Sequence, residues 1–371
     1  MEVALVVAAL LVAFVNGAND NMKGVATLYG SGVLSYRRAL ALATGSTAAG
    51  SLASLVLAHG LVRVFSAKGI VPEALIDTRL LTAVATAAAL TVLLATRLGF
   101  PISTTHALVG GIAGAGLVAA GAELDVGALA GAVVLPLVAG PLAAVALSGA
   151  GLRAGSRALG RFAPSGAGCV CVDAQPLVTS AAGYGGGAAA TMATGTGGLA
   201  FEVGHVEDCA RRGAGGVARL RTDVLVDAAH VASASLVGFA RGVNDTPKIL
   251  GLLVGAAVVS PATGALAITL AMALGGLVAA RRVAETMAKK ITTMTPGQGL
   301  VANLSTSLLV IGASRFGMPV STTHVATGGI VGIGQGTGGV RWGATLEVIA
   351  AWLVTLPLAA LLGAAAMWAL R

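Results

Sequence analysis

Polar positions are scarce along this chain and fall in few places. Met1 to Val15, Leu80 to Thr96 and Val348 to Leu370 carry almost only Ala, Val, Leu, Ile and isolated Thr, with no period-two alternation. An α-helix needs about 20 predominantly apolar residues to cross the hydrocarbon core, and these stretches approach or reach that length. A spanning β-barrel would alternate apolar and polar residues, so that class is excluded. The pattern predicts an all-α polytopic membrane protein with about 10–12 membrane segments of that size. Met1 to Val15 lacks a basic leading region and runs straight into a polar motif, so it reads as a helix of the mature chain rather than a signal peptide.

The polar clusters recur. "NGANDNMKG" (Asn16 to Gly24) aligns with "RGVNDTPKI" (Arg241 to Ile249) at an offset of 225, pairing Gly17 with Gly242, Asn19 with Asn244, Asp20 with Asp245 and Lys23 with Lys248. "PISTTHALVGG" (Pro101 to Gly111) aligns with "PVSTTHVATGG" (Pro319 to Gly329) at an offset of 218, with Arg97 and Gly99 matching Arg315 and Gly317. Two motifs in one order make an internal repeat. The smaller second offset places an insertion in the first half, around Arg63 to Arg79. The expected organisation is an N-terminal membrane repeat over 1–150, an inter-repeat loop or small domain over 151–222, and a C-terminal repeat over 223–371.

Composition agrees. The chain of 371 residues is 56% hydrophobic and 10% charged, with 54 glycines, and its mean hydropathy is +0.90. That leaves too little polar surface to cover a soluble globule. The net charge of +8 would point to nucleic acid in a soluble domain. In a membrane protein it reports cytoplasmic loops instead, and Arg153, Arg157, Arg161, Arg211, Arg212, Arg219 and Arg221 cluster centrally, as do Arg281, Arg282, Lys289 and Lys290. No nucleic-acid partner is expected; the lipid bilayer is.

Asp20 follows a run of apolar residues, so it lies at membrane depth on a helix that the glycines beyond it are expected to interrupt. A carboxylate there costs about 3 kcal/mol on insertion scales, so it requires a partner or a wet cavity. Asp245 repeats the situation, and Pro247 frees a helix carbonyl that can bind a cation. Pairing with Lys23 and Lys248 would neutralise the charge, but Asn, Asp and Lys at matching sites in two halves suit ion coordination better. In the second motif, proline favours the first helical position and would place Ser103, Thr104 and Thr105 in the first turn, as Pro319 would place Ser321, Thr322 and Thr323. Unpaired N–H groups and about half a positive charge at such a helix start, joined by hydroxyls, make an anion site. Discontinuous helices of two repeats meeting at the midplane are a recurring way to build a transporter site.

"GAND" (Gly17 to Asp20), "GVNDTPK" (Gly242 to Lys248) and the P-x-S-T-T-H pair (Pro101 to His106, Pro319 to His324) resemble the inorganic phosphate transporter (PiT) family. The resemblance covers both repeats. It implies two inverted-topology repeats with broken or re-entrant helices, usually a homodimer in the cell membrane, importing inorganic phosphate by cation symport through alternating access. It makes Ser103, Thr104, Ser321 and Thr322 ligands of the oxyanion, and Asn19, Asp20, Asn244 and Asp245 holders of the coupling cation. Thr105 and Thr323 join the first group as neighbours in the same run, and Lys23, Lys248, His106 and His324 are accessory candidates. The histidines can serve as proton relay or as packing. Where family members often carry a neutral Asn, this chain has Lys23, which favours H⁺ over Na⁺ as the coupling ion. A buried carboxylate can accept a proton from phosphate, which sulfate lacks, so sulfate is the second substrate and a passive anion channel the other alternative.

His59 and His230 have no repeated context and read as structural. The central segment holds Cys169, Cys171, His205 and Cys209, four soft ligands at spacings weak for zinc, and incidental thiols are the preferred reading. No cofactor is required. With no G-x-S-x-G elbow and no P-loop, neither a serine hydrolase nor a nucleotide-driven pump fits.

Overall fold

The structure is a computed structural model that describes residues 1–131, 135–162, 168–174, 199–205, 216–291 and 293–371, with side chains outside 156–220. It resolves into two compact units, Met1–Leu152 with Ala229–Arg371, and Arg153–Ala228.

The first unit is helical. Its leading half carries α1 (Glu2–Asp20), α2 (Ala26–Gly30), α3 (Tyr36–Leu57), α4 (His59–Phe65), α5 (Thr78–Leu98), α6 (Thr104–Ala120), α7 (Val126–Leu129) and α8 (Leu135–Phe162). The trailing half carries α9 (Thr222–Gly255), α10 (Pro261–Ala279), α11 (Arg281–Lys289), α12 (Pro296–Arg315), α13 (Thr322–Thr337) and α14 (Trp342–Ala369). The two sequence offsets carry α3 onto α10, α5 onto α12 and α6 onto α13 almost residue for residue. The insertion lies in the linker between α4 and α5, 66–77, which is longer than its counterpart 290–295.

Local chemistry sets these ends. Asp77 caps α5 by accepting from the Arg79 and Leu80 amides, and Gly99 closes it at φ +80°, a left-handed turn that glycine adopts without strain. Pro296 opens α12 behind a capping box in which Thr295 and Gln298 exchange hydrogen bonds. Among the described residues, eight helices are long and apolar enough to cross a membrane, fewer than the 10–12 segments expected. The shortfall falls partly on α12, whose Ser, Thr, Asn and Gly content lowers its hydropathy, and on α13, which at 16 residues is too short by itself, although both lie at repeat positions of apolar helices. Exposed Val3, Val7 and Leu11 on α1, and Leu266, Leu270 and Leu274 on α10, form the outer faces that lipid covers.

Helices of one half pack on those of the other at glycines. A Cβ on Gly17 of α1 would stand 1.9 Å from the Met272 carbonyl of α10, and one on Gly242 of α9 would stand 2.2 Å from the Thr47 carbonyl of α3. These are equivalent contacts, since 225 residues separate Gly17 from Gly242 and Thr47 from Met272. Small residues are what allow helix backbones to approach so closely in a membrane.

The second unit departs from an all-helical reading. It contains a three-stranded antiparallel sheet in the order β2-β1-β3, with β1 at Gly168–Ala174, β2 at Leu199–His205 and β3 at Gly216–Arg221. Val170, Val172 and Val203 are β-branched residues suited to strands, but the runs are too short to stand out beside long apolar helices. Cys169 and Cys171 lie two apart on β1, opposite Gly204 and Glu202, and His205 ends β2 opposite Gly168. Cys209 lies outside the described residues.

Candidate functional site

The first motif ends α1. The helix stops at Asp20, and the Lys23 amide donates to the Asp20 carbonyl at 3.0 Å in a tighter turn leading to α2. Its partner in the second half is not interrupted: α9 runs through Asn244, Asp245 and Pro247 to Gly255. The expected break is therefore a property of the first half.

The second motif starts a helix in each half, three residues later than the proline implied. Ser103 is the N-cap of α6 and accepts from the His106 amide at 3.1 Å; Ser321 is the N-cap of α13 and accepts from the His324 amide at 3.2 Å. Pro101 and Pro319 thus precede the caps instead of occupying the first helical position. The serine cap sets the start because its oxygen satisfies an amide that proline at the first position would not. An oxygen that accepts from an amide keeps its own proton to donate, so capping aims the hydroxyl without consuming it.

Asparagines fasten these helix starts to the carboxylate motifs. Asn19 donates through Nδ2 to the Phe100 carbonyl at 2.9 Å and to Thr96 Oγ1 at 3.0 Å, and its Oδ1 accepts from the Ile102 amide at 3.1 Å. Asn244 donates to the Val320 carbonyl at 3.1 Å and accepts from Ser314 Oγ at 3.1 Å. Thr96 and Ser314 are equivalent positions of the repeat, as are Ile102 and Val320.

Lysines cross between halves. Lys23 Nζ donates to Asp20, to Thr323 Oγ1 of the opposite helix start, to Asn19 Oδ1 at 3.0 Å and to the Ile102 carbonyl at 2.7 Å. Lys248 Nζ donates to Thr105 Oγ1 at 2.7 Å and to the Val320 carbonyl at 2.7 Å, with Asp245 Oδ1 at 3.4 Å. Thr104 Oγ1 accepts from Asn16 Nδ2 at 3.0 Å, and the same amide reaches Asp20 Oδ2 at 3.2 Å and Asp245 Oδ2 at 3.3 Å. The two carboxylates of the repeats therefore share one donor at the centre. Thr322 is buried in the first turn of α13.

Arg241 and Asn16, equivalent in the repeat, were not among the sequence-read candidates. Arg241 donates through its terminal nitrogens to Asn16 Oδ1 at 2.7 Å and Asn21 Oδ1 at 3.1 Å, and its Nε lies 3.5 Å from Asp245 Oδ2. A guanidinium one turn before a buried carboxylate, behind the largely apolar run Ala232–Ala240, is a legible signal, since both charges need a partner there.

All these groups are buried: Asp20, Lys23, Arg241, Asp245 and Lys248 are each at most 3% exposed. By formal charge the buried cluster counts three basic side chains against two carboxyl groups, an excess of one positive charge among hydroxyls and helix starts. Beside it, a recess of about 460 Å³ lined by His59, Arg63, Lys68 and Glu73 reaches Pro247, the neighbour of Lys248. His59 thus lines this recess, whereas His230 contacts Thr27 Oγ1 at 2.9 Å.

His106 and His324 stack edge to face with centroids 4.4 Å apart, and His324 lies 3.8 Å from the Trp352 ring. They line a largely apolar pocket with Leu137, Pro141 and Trp342. The structure places the pair one turn beyond the hydroxyls, against aromatic packing.

A model of the phosphate transporter family matches residues 16–363. The chain is 31% identical over 372 residues to a probable low-affinity inorganic phosphate transporter of Mycobacterium tuberculosis, covering 97% of this chain and 75% of that one. It is 27% identical over 379 residues to the protein of that name in Mycobacterium leprae, covering 99% and 77%. A solved structure described as the sodium-dependent phosphate transporter superposes with a TM-score of 0.77 at 22% identity, over 100% of this chain and 98% of that one, which shows a shared fold. With both motif pairs lying inside the matched range and the family fold present throughout, this multi-pass membrane chain belongs to the phosphate transporter family and is a transporter, not an enzyme.

Proposed function

We propose that the protein imports inorganic phosphate across the cell membrane by proton symport and alternating access, through two repeats of inverted topology. The observation that carries this reading is the buried cluster of Asp20, Lys23, Arg241, Asp245 and Lys248 between two hydroxyl-bearing helix starts, with one positive charge in excess. An unbalanced charge at membrane depth is costly, and a monoanion balances it. Phosphate protonated twice carries one charge and two donors, whereas sulfate carries two charges and no donor, so the site fits phosphate better. Ser103, Thr104, Thr105, Ser321, Thr322 and Thr323 supply hydroxyls to the oxyanion together with the helix-start amides. Asp20 and Asp245 accept hydrogen bonds from its two hydroxyls, which it keeps, and serve as the carriers of the separate coupling proton, while Asn19 and Asn244 hold the helix starts against them. Inward movement of a monoanion alone opposes an inside-negative potential by about 2.3 kcal/mol per 100 mV. One proton moving with each monoanion removes that opposition. Enclosure of the site supports alternating access over an open channel. The family resemblance supports a homodimer, testable by the mass of the purified protein in detergent.

The test is competition. Labelled phosphate uptake should fall in proportion to unlabelled phosphate and persist in a large excess of sulfate. Equal competition by sulfate would make the protein a general oxyanion permease.

A further inference from the structure

The two buried lysines do more than neutralise carboxylates. Of the four oxygens around Lys23 Nζ, only that of Asp20 is charged; the Ile102 carbonyl, Asn19 Oδ1 and Thr323 Oγ1 are neutral and come from three separate segments. Around Lys248 Nζ, the Val320 carbonyl and Thr105 Oγ1 approach more closely than Asp245 does, at 2.7 Å each against 3.4 Å. A neutralising lysine needs a carboxylate. These lysines have shells, each composed of a carboxylate and a carbonyl from its own repeat and a hydroxyl from the other, and carboxylate, carbonyl and hydroxyl oxygens are the ligands that hard cations take.

The shells are also equivalent. The offsets of the repeat carry Asp20 onto Asp245, Ile102 onto Val320 and Thr105 onto Thr323, so three oxygens of each shell match with the halves exchanged; Asn19 Oδ1 is a fourth around Lys23, whereas Asn244 Oδ1 accepts from Ser314. Each ammonium ties a helix start of its own half to the hydroxyl run of the other, which is where the anion is held.

We propose that Lys23 and Lys248 are tethered cations: each ammonium permanently fills an oxygen shell suited to a monovalent metal ion, so that the carrier works without sodium. The inference rests on the phosphate-symport reading for its consequence in transport, but the shells exist whether or not phosphate is the cargo. It follows that emptying a shell while keeping its oxygens creates a sodium site. Lys23→Asn and Lys248→Asn do this, adding a further carbonyl oxygen; Lys23→Met removes the charge but leaves an apolar chain in the space.

The experiment has two readouts. Thermal unfolding of detergent-purified protein is compared in sodium chloride and in choline chloride of equal strength, and phosphate uptake into proteoliposomes is compared with and without an inward sodium gradient. The parent should unfold at one temperature in both salts and take up phosphate equally with and without sodium. Lys23→Asn and Lys248→Asn should be stabilised by sodium in a saturable manner, with uptake stimulated at least about tenfold, the scale of an ordinary coupling between sites. Lys23→Met should show neither effect. Sodium stabilisation of the parent overturns the proposal even if no variant can be purified. So does absence of sodium stabilisation in both asparagine variants, or a methionine variant that responds as they do. If the parent carries no phosphate but the asparagine variants still bind sodium, the cargo reading fails and the tethered cations stand.

Discussion

Arg241 shows how a site can be written in one residue that a motif comparison passes over. Aligning the halves highlights the identical Asn, Asp and Lys, and Arg241 falls opposite Asn16, a pair without identity. Its importance comes from unlike groups meeting: the guanidinium donates to Asn16, Asn16 donates to both Asp20 and Asp245, and the carboxylates of the two halves are joined. Cutting one member of a buried ionic group costs about 3–5 kcal/mol, because the partner is left charged and unpaired. Arg241→Gln should therefore lower the unfolding temperature markedly and abolish uptake, measured on the same preparation. Asp20→Asn leaves Lys23 without its charged partner and should cost stability on the same scale while also abolishing uptake. Ser103 and Ser321 separate two roles: loss of a cap costs about 1 kcal/mol. Ser321→Ala should lower stability by no more than that while reducing uptake by well over tenfold, and Ser321→Thr should recover most of both. Normal transport by Ser321→Ala would remove the serine from the site.

Elements were legible where one local rule sets them. The long apolar helices, the order of the two motifs and the place of the insertion between α4 and α5 follow from hydropathy and alignment. The start of α6 does not, since proline at the first turn and serine at the cap are both good openings, and only the His106 amide bonding to Ser103 decides between them. Continuity of α9 through Pro247 was likewise hidden, because packing against α3 at Gly242 holds the helix together where local propensity would break it. The same packing gives a prediction. Gly17→Leu should prevent α1 from meeting α10 at the Met272 carbonyl and sharply reduce folded protein, whereas Gly45→Leu, on α3 with open space around it, should be accommodated. Comparable yields of monodisperse protein from both would refute this account of helix packing.

At the scale of the molecule, the two halves exchange contacts: α1 lies on α10 and α9 on α3, while both lysines reach into the opposite helix start. Neither half holds a complete site. The site was thus visible in sequence only as two matching lists of residues; that each list is completed by the other is a property of three-dimensional packing. The unit over Arg153–Ala228, with its sheet, contributes none of the described site residues. Replacing 166–217 by a short Gly-Ser linker should leave uptake near the parent's rate, and loss of transport in a normally folded variant would give that unit a part in the cycle.

The central claim is that a monoanion of phosphate completes the charge of this site and moves with a proton. Labelled phosphate uptake by proteoliposomes, under an imposed inward pH gradient with sodium absent, tests it most directly. The account predicts accumulation that collapses with a protonophore and is missing in Asp20→Asn. Uptake that is indifferent to the pH gradient, or that appears only when sodium is supplied, would contradict it.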